Sequence, residues 1–312
     1  FFGGNKDASG IDNNDVKQMW DQAATGDLKD FLTDRTWSAI PQTGTNQNKH
    51  ITGDSNYNWK DCFKDTYFGD GRAITALSMG CGDGAFDREL KQRGLNFKSL
   101  TGIDISDACI EKASREADKV GLADEVDYYV SDLNHIDLPE NKFDLIYFFH
   151  SLHHVTELES VLGTCRRALK PDGILMVNEY VGESRFQWND EQIRYADEIL
   201  AELSPELKYD HLLQKQRDRV TRVKLEDLIA MDPSEAVRSG DIDAVIKSIF
   251  NVVEEKNCGG TITYLVFDGV ASNFKPDDTA HSSVIDSIIE KENLLLEENK
   301  IKSDFKYYVA KR

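Results

Sequence analysis

Long apolar runs, paired cysteines and clusters of positive charge are all missing from this sequence of 312 residues. No stretch approaches the ~18 consecutive apolar residues that a membrane-spanning helix requires. No run rich in Lys and Arg exists, and the formal net charge is −19. Such a surface repels polyanions, which disfavours nucleic acid and anionic membranes as partners, with only a local basic groove left open. Cys62, Cys81, Cys109, Cys165 and Cys258 are odd in number and lack metal-ligand spacing. Several fall inside apolar patterns, where a free thiol behaves as a small hydrophobe. They predict a reducing, cytoplasmic setting with neither a disulfide framework nor a metal site. The start, Phe1-Phe2-Gly3-Gly4, has no initiator Met and no basic segment leading into an apolar core, so it reads as a trimmed terminus and not as a secretory signal. Internal repeats and low-complexity segments are also absent.

What is present suits an ordinary globular chain, 40% hydrophobic, 30% charged and 10% aromatic. Its length can bury a large core without disulfides. From Arg72 onward, short apolar runs alternate with helical patterns. The runs are Ala73–Met79, Leu100–Ile103, Val126–Val130, Phe143–Phe149 and Ile174–Val177, each bounded by turn residues, as strands buried on both faces should be. The clearest helix places Val155, Leu158, Val161, Leu162, Cys165, Ala168 and Leu169 on one face, opens with the capping box Thr156-x-x-Glu159, and stops before Lys170-Pro171-Asp172-Gly173. The alternation predicts an α/β fold with a doubly wound, mostly parallel, Rossmann-like sheet. Residues 183–250 read as helical, with Asp190–Leu203 and Lys224–Ile229 the clearest segments. Thr261–Phe267 and Phe305–Ala310 then read as two strands that complete a seven-stranded sheet, with a helix from Val284 to Glu298 between them. The expected organisation is an N-terminal helical cap (1–70), a cofactor-binding core (71–182), a helical lid setting acceptor specificity (183–255) and a sheet-completing end (256–312).

The first strand runs into Ser78-Met79-Gly80-Cys81-Gly82-Asp83-Gly84-Ala85. Alternate glycines let backbone approach a bulky ligand and turn tightly into a helix N-terminus. Gly80-x-Gly82-x-x-Ala85 also satisfies the dinucleotide fingerprint, so a nicotinamide enzyme and a ligand-free turn both stand as alternatives. The second strand ends in Asp104, where a carboxylate suits a ribose diol, whether nicotinamide or adenosyl. The third ends in Ser131-Asp132-Leu133, an acid that could accept an adenine amine and an apolar side chain that could flank the ring. The fourth leads into His150-Ser151-Leu152-His153-His154, and the fifth ends in Asn178-Glu179-Tyr180.

Taken in order, GCGDG, GIDIS, SDL, FDLIYFFHSLHHV and LKPDGILMVNE resemble the class I S-adenosylmethionine-dependent methyltransferases of the small-molecule type, over residues 72–182. The resemblance implies S-adenosylmethionine as cofactor. It puts Gly80, Gly82 and Gly84 against the methionine part, Asp104 on the ribose, Ile105 along the adenine, and Asp132 and Leu133 beside the ring; Cys81 within the turn and His150 past the fourth strand are further expected cofactor contacts. Members often carry an acid two residues before the first glycine. Here that position is Ser78, so the amino group would need a backbone carbonyl or another carboxylate. Glu179–Trp188, Asp232–Arg238 and Cys258-Gly259-Gly260-Thr261 look, more loosely, like bacterial methyltransferases found beside glycan-building enzymes.

Methyl transfer from a sulfonium is an in-line displacement, so alignment does most of the work, and Tyr147, Phe148, Phe149, Phe186 and Trp188 are placed to exclude water. An alcohol acceptor would need a general base. The candidates are His154 first, His153 second, then His150 and Glu179, with Tyr180 as a hydrogen-bond partner and Arg185 able to clamp an acceptor anion or to pair with Glu183 or Asp190. Tyr180, Arg185, Phe186 and Trp188 are the expected acceptor contacts, and Trp20 and Trp59 either cap the pocket or pack the core. The leading expectation is O-methylation of a sugar-like, polar small molecule, with N- or C-methylation, or a non-catalytic cofactor-binding subunit, as alternatives. The residues do not fix the oligomeric state, a homodimer being one option.

Overall fold

Five apolar segments bounded by turn residues become parallel strands, and two more strands near the carboxyl end close the sheet. A computed structural model describes residues 11, 13–25, 36–211 and 213–312; the segment Phe1–Gly4 lies outside the described residues. The strands are β1 (Ile74–Met79), β2 (Phe97–Asp104), β3 (Val126–Val130), β4 (Phe143–Phe149), β5 (Leu169–Tyr180), β6 (Asn251–Gly259) and β7 (Phe305–Lys311). They hydrogen-bond in the order β3-β2-β1-β4-β5-β7-β6. The first five pair in parallel, and β7 runs antiparallel to both β5 and β6. Strand order reverses between β1 and β4, so the crevice beyond their carboxyl ends is where an open α/β sheet takes its ligand.

Side chains alternate across the sheet, as the two-residue period of a strand requires. Ile74 and Ala76 of β1 and Leu145 and Tyr147 of β4 join one core with Trp59, Phe63 and Phe86. Leu77, Met79, Ile146 and Phe148 join another on the opposite face. The first face is covered from the N-terminal side by α2 (Pro41–Thr52) and α3 (Trp59–Phe68) and by α4 (Ala85–Gln92). The second receives α6 (Leu158–Ala168) and α9 (Ile242–Ile249). Helix α5 (Asp107–Lys119) links β2 to β3, and α1 (Asn13–Thr25) lies beside it. A third core holds α7 (Asp190–Glu202), α10 (Ile262–Phe267) and α11 (Thr279–Glu297) together. Helix α8 (Leu225–Met231) and a two-residue ladder between 209–210 and 215–216 complete the segment read as helical. No helix among the described residues is long and apolar enough to cross a membrane.

Two local expectations are overturned. Thr261–Phe267 is the helix α10 and not a strand; the additional strand is Asn251–Gly259. The reason is Glu292 of α11. It is fully buried and accepts the backbone N–H groups of Gly260, Ile262 and Thr263 at 3.0, 2.5 and 2.8 Å. That carboxylate satisfies the amides which a helix start leaves without partners. The edge strand β6 alternates exposed with half-buried positions and carries Glu254, Glu255 and Lys256, which hides it in an apolar-run reading. The capping box before α6 does not form either. Thr156 turns both its N–H and its hydroxyl to Asn134 Oδ1, and Glu159 pairs with Arg238.

Candidate cofactor and active site

The turn after β1 is built for close approach. Gly80 has φ +72°, and a Cβ there would sit 2.6 Å from Cβ of Ser151. Its N–H and that of Cys81 both reach the carbonyl of Ile103. Gly82 donates its N–H to Asp104 Oδ2 at 2.9 Å, and Ser106 donates to Oδ1 at 3.0 Å. Asp104 is thereby pinned at the mouth of β2, with burial pushing its carboxyl up against the pull of those amides. Gly84 serves differently: a Cβ there would meet the Tyr128 hydroxyl, and Gly84 is not on the cavity wall.

The acid absent at Ser78 reappears on the next helix. Ser78 Oγ donates to Asp87 Oδ1 at 2.8 Å and the Tyr147 hydroxyl donates to the same oxygen at 2.6 Å. Asp87 is buried, which drives its carboxyl upward. It braces the glycine turn from beneath and does not line the cavity.

A cavity of about 560 Å³ opens over this turn. Gly80, Cys81, Gly82, Asp104, Ile105, Asp132, Leu133, His150 and His154 all line it, so most of the residues predicted for the cofactor converge there, with the first-ranked base beside them. Asp132 caps the turn 133–135 and meets His135 Nδ1 at 2.5 Å. The far wall comes from Val16 and Trp20 of α1 together with Phe86 and Phe149. Of the five aromatics expected to exclude water, only Phe149 reaches the cavity; Tyr147 and Phe148 are core residues. Trp20 lines the cavity, while Trp59 packs in the core. A cradle that a side chain would fill, a fixed carboxylate at the end of β2 and the apolar side chains of Ile105 and Leu133 beside it fit S-adenosylmethionine.

The histidines separate into three environments. His150 has φ +52° and burial pushes it down to about 4, so it is neutral at the cavity wall. His153 lies behind that wall. Its Nδ1 is 2.5 Å from Glu179 Oε1 and its Nε2 is 3.4 Å from Glu235 Oε1, and the two carboxylates overcome burial to raise it to about 10. His154 faces the cavity with its ring centroid 4.1 Å from that of His153 and 5.2 Å from Trp20. Burial and the neighbouring His153 lower it. Its Nδ1 is 3.0 Å from Ser234 Oγ, and Ser234 donates to Asp232 Oδ1 at 2.7 Å. Because the serine proton is committed to Asp232, Ser234 accepts from His154 Nδ1–H, which leaves Nε2 with the free lone pair. His153, His154 and Glu235 each offer an atom within 4.8 Å of the others. His153 already meets two carboxylates and His154 a hydroxyl, so the group reads as a hydrogen-bonded cluster.

Glu179 is fully buried and saturated. It accepts from Ser151 N, Leu152 N, Tyr180 N and His153 Nδ1, and His153 holds it below the usual carboxylate range despite burial. It lies off the cavity wall, as do the four expected acceptor contacts. The Tyr180 hydroxyl donates to the Glu183 carbonyl, and Arg185 donates to the carbonyls of Pro233 and Glu235, away from the cavity wall where an acceptor anion was expected. Phe186 stacks on Trp188 and lies tilted against Tyr180 in an inner aromatic layer. These residues carry the segment 232–238 against the site. That segment supplies Asp232 and Ser234, which sequence reasoning had noticed only as part of a loose resemblance.

Residues 77–177 match the family described as Methyltransferase domain. A sterol 24-C-methyltransferase of Eremothecium gossypii is 31% identical over 157 residues, half of this chain and 41% of that protein. The 27-O-demethylrifamycin SV methyltransferase of Amycolatopsis mediterranei is 30% identical over 105 residues, 34% of this chain and 38% of that one. The matches therefore span less than half the length of these curated relatives. Among solved structures, the geranyl diphosphate C-methyltransferase of Streptomyces coelicolor superposes over 99% of this chain and 100% of its own, with a TM-score of 0.52 and 14% identity, a likeness of fold. The sheet order, the glycine turn, the carboxylate at Asp104 and the matched domain agree: residues 77–177 form a methyltransferase domain of the class I S-adenosylmethionine-dependent type, with S-adenosylmethionine as its cofactor.

Proposed function

We propose that this chain methylates a carbon atom of a small, neutral, largely apolar acceptor, with His154 receiving the proton that the acceptor sheds. The observation that carries this is the cavity wall. Val16, Trp20, Phe86, Phe149 and Val155 line it, and among its described lining residues there is no Lys or Arg. Asp104 adds negative charge, and Asp83 and Asp132, though paired with Lys112 and His135, bring no cation to the wall, so an acceptor bearing phosphate or carboxylate would find no counter-charge there. A polar sugar would find few partners there once the cofactor has taken Asp104 and Asp132. The relatives named for sterol and geranyl diphosphate C-methylation lend weight to carbon as the methylated atom, and of those two acceptor classes the uncharged one suits this wall.

When bound, the cofactor supplies a methyl carbon activated by sulfonium charge, and holding the reactants in line is worth as much as ~7–11 kcal/mol. The Gly80–Gly82 turn and Asp104 orient it. Trp20 and Phe149 keep water from the transfer path. His154 presents Nε2, while Ser234 and Asp232 hold the opposite edge in the required tautomer, as a positioned base needs.

A second reading, O-methylation of a hydroxyl, draws on the same relay, because a weakly acidic hydroxyl needs such a base, and one relative is named as the methyltransferase of 27-O-demethylrifamycin SV. The test is incubation with isotopically methyl-labelled S-adenosylmethionine and a panel of sterols, isoprenoids, aromatic phenols and sugars, with the product read by carbon NMR. Label on carbon of an uncharged apolar acceptor supports the first reading, and a methoxy product supports the second. Label on nitrogen of an amine acceptor added to the panel, with none on carbon or oxygen, would sink both.

A further inference from the structure

Behind the wall that carries His154 sits a charged group for which the methyl-transfer reading has no use. His153 is buried, and both of its ring nitrogens point at carboxylate oxygens, Glu179 Oε1 at 2.5 Å and Glu235 Oε1 at 3.4 Å. A neutral imidazole has one N–H and one lone pair, so it would have to aim that lone pair at a carboxylate. With both nitrogens protonated, each carboxylate faces a donor. Glu179 has no freedom to move away, since three backbone N–H groups fix it. The segment bearing Glu235 is held as well, by Val237 N–H on the His153 carbonyl and by Arg185 on the Glu235 carbonyl.

We propose that His153 is a positioning residue, an imidazolium clamped between Glu179 and Glu235 whose charge keeps the adjacent His154 ring neutral and its Nε2 lone pair available at the cavity. The inference rests on the reading of His154 as the proton acceptor. With ring centroids 4.1 Å apart, a second positive charge on His154 is opposed directly, and like charges at such range disfavour ionisation. The other groups facing His154 are acids, Asp232 and Glu235 with Glu179 and Asp104 further off, and the Trp20 ring. Left alone, those carboxylates would pull a proton onto His154 and end its use as a base. Those facing His153 are the two clamping carboxylates, His150, His154 and Tyr180. The pair thus divides its labour: one ring takes the fixed charge of the acidic cluster, and the other is left free to accept a proton.

Nitrogen-edited NMR of histidine side chains, on the full chain across about pH 5 to 10, reads both rings without needing an acceptor. In the wild-type protein His153 should show two protonated nitrogens through neutral pH, while His154 shows the neutral Nδ1–H form. In His153→Gln the midpoint of His154 should rise by about one unit, a tenfold gain in proton affinity. In Glu235→Gln the midpoint of His153 should fall, which keeps the test alive if His153→Gln does not fold. Binding of S-adenosylmethionine by calorimetry checks that each variant is intact. A neutral His153 at pH 7, or an unmoved His154 in His153→Gln, overturns the proposal. So does one equivalent of zinc, added alone, that abolishes both titrations at micromolar concentration, since the cluster would then be a metal centre. If the NMR result holds while His154→Ala retains full activity, only the assignment of the base has failed.

Discussion

At Asp104 the scaffold role is visible in its hydrogen bonds, and the role of cofactor ligand is the one we propose. Its two oxygens accept from Gly82 and Ser106, which ties the glycine turn to the start of α5, and the remaining lone pairs are free for a ribose diol. Asp104→Ala is expected to weaken S-adenosylmethionine binding about 10- to 100-fold, the ~1.5–3 kcal/mol of hydrogen bonds to a charged group, as read by calorimetry. Glu179 shows the opposite economy. As a saturated acceptor it has nothing left for catalysis, so Glu179→Gln should disturb stability and the His153 titration, whereas His154→Ala should lower turnover while sparing cofactor affinity. A Glu179→Gln variant with wild-type stability in urea would contradict the structural role assigned to that carboxylate.

At the scale of elements, α1 and α10 are the informative pieces. Helix α1 is attached by Asp21, which accepts from the Ser106 hydroxyl and from Ala108 N–H, and by Lys17 on Asp107. Through these links it sets Val16 and Trp20 against the cavity. Trp20→Ala should raise the Kd for S-adenosylmethionine roughly tenfold, about 1.4 kcal/mol, with little change in melting temperature because the ring is only partly buried. Equal losses in both would mean that α1 is a core element and not a wall of the site. Helix α10 depends on Glu292 for its first amides. Glu292→Ala should cost about 2–4 kcal/mol in urea unfolding, since buried amides left without partners cost ~1–3 kcal/mol each.

For the whole molecule, charge sets the conditions of stability. With a net charge of −19, self-repulsion loads the folded state, and added salt screens it; melting temperature should therefore rise by a few degrees between low and high NaCl. The acidic cluster adds a pH window. His153 is raised from 6.5 to about 10, so its stabilisation is complete below pH 6.5 and is lost as pH climbs through 10. Glu235 is lowered from 4.5 to about 2, so its share is present above pH 4.5 and is lost as pH falls toward 2. The stability gap between wild type and His153→Gln should be widest near pH 6 and close toward pH 10, as measured by chemical denaturation at each pH. A gap that stays constant would mean that His153 carries no extra proton in the folded state.

Local chemistry explains how much was legible in the sequence. The parallel strands and the glycine turn could be read in advance, and so could the presence of Asp104, Ile105, Asp132 and Leu133 at the cavity, because a strand buried on both faces writes itself as an apolar run and the loops at the crevice follow those strands directly. His154 was legible as a candidate for the same reason, lying just past β4. The helix over 262–267 was not, because what holds it is Glu292, 30 residues away in sequence from Ile262. Tyr180, Arg185, Phe186 and Trp188 had the right residue types for an acceptor site, yet packing turned them inward as the support for segment 232–238. The order of elements along the chain thus determined the fold and the cofactor. Only tertiary structure decided which histidine lines the cavity and which lies between carboxylates, since proton affinity depends on groups brought together through space, and Glu179, Asp232 and Glu235 reach His153 and His154 only once the sheet has formed.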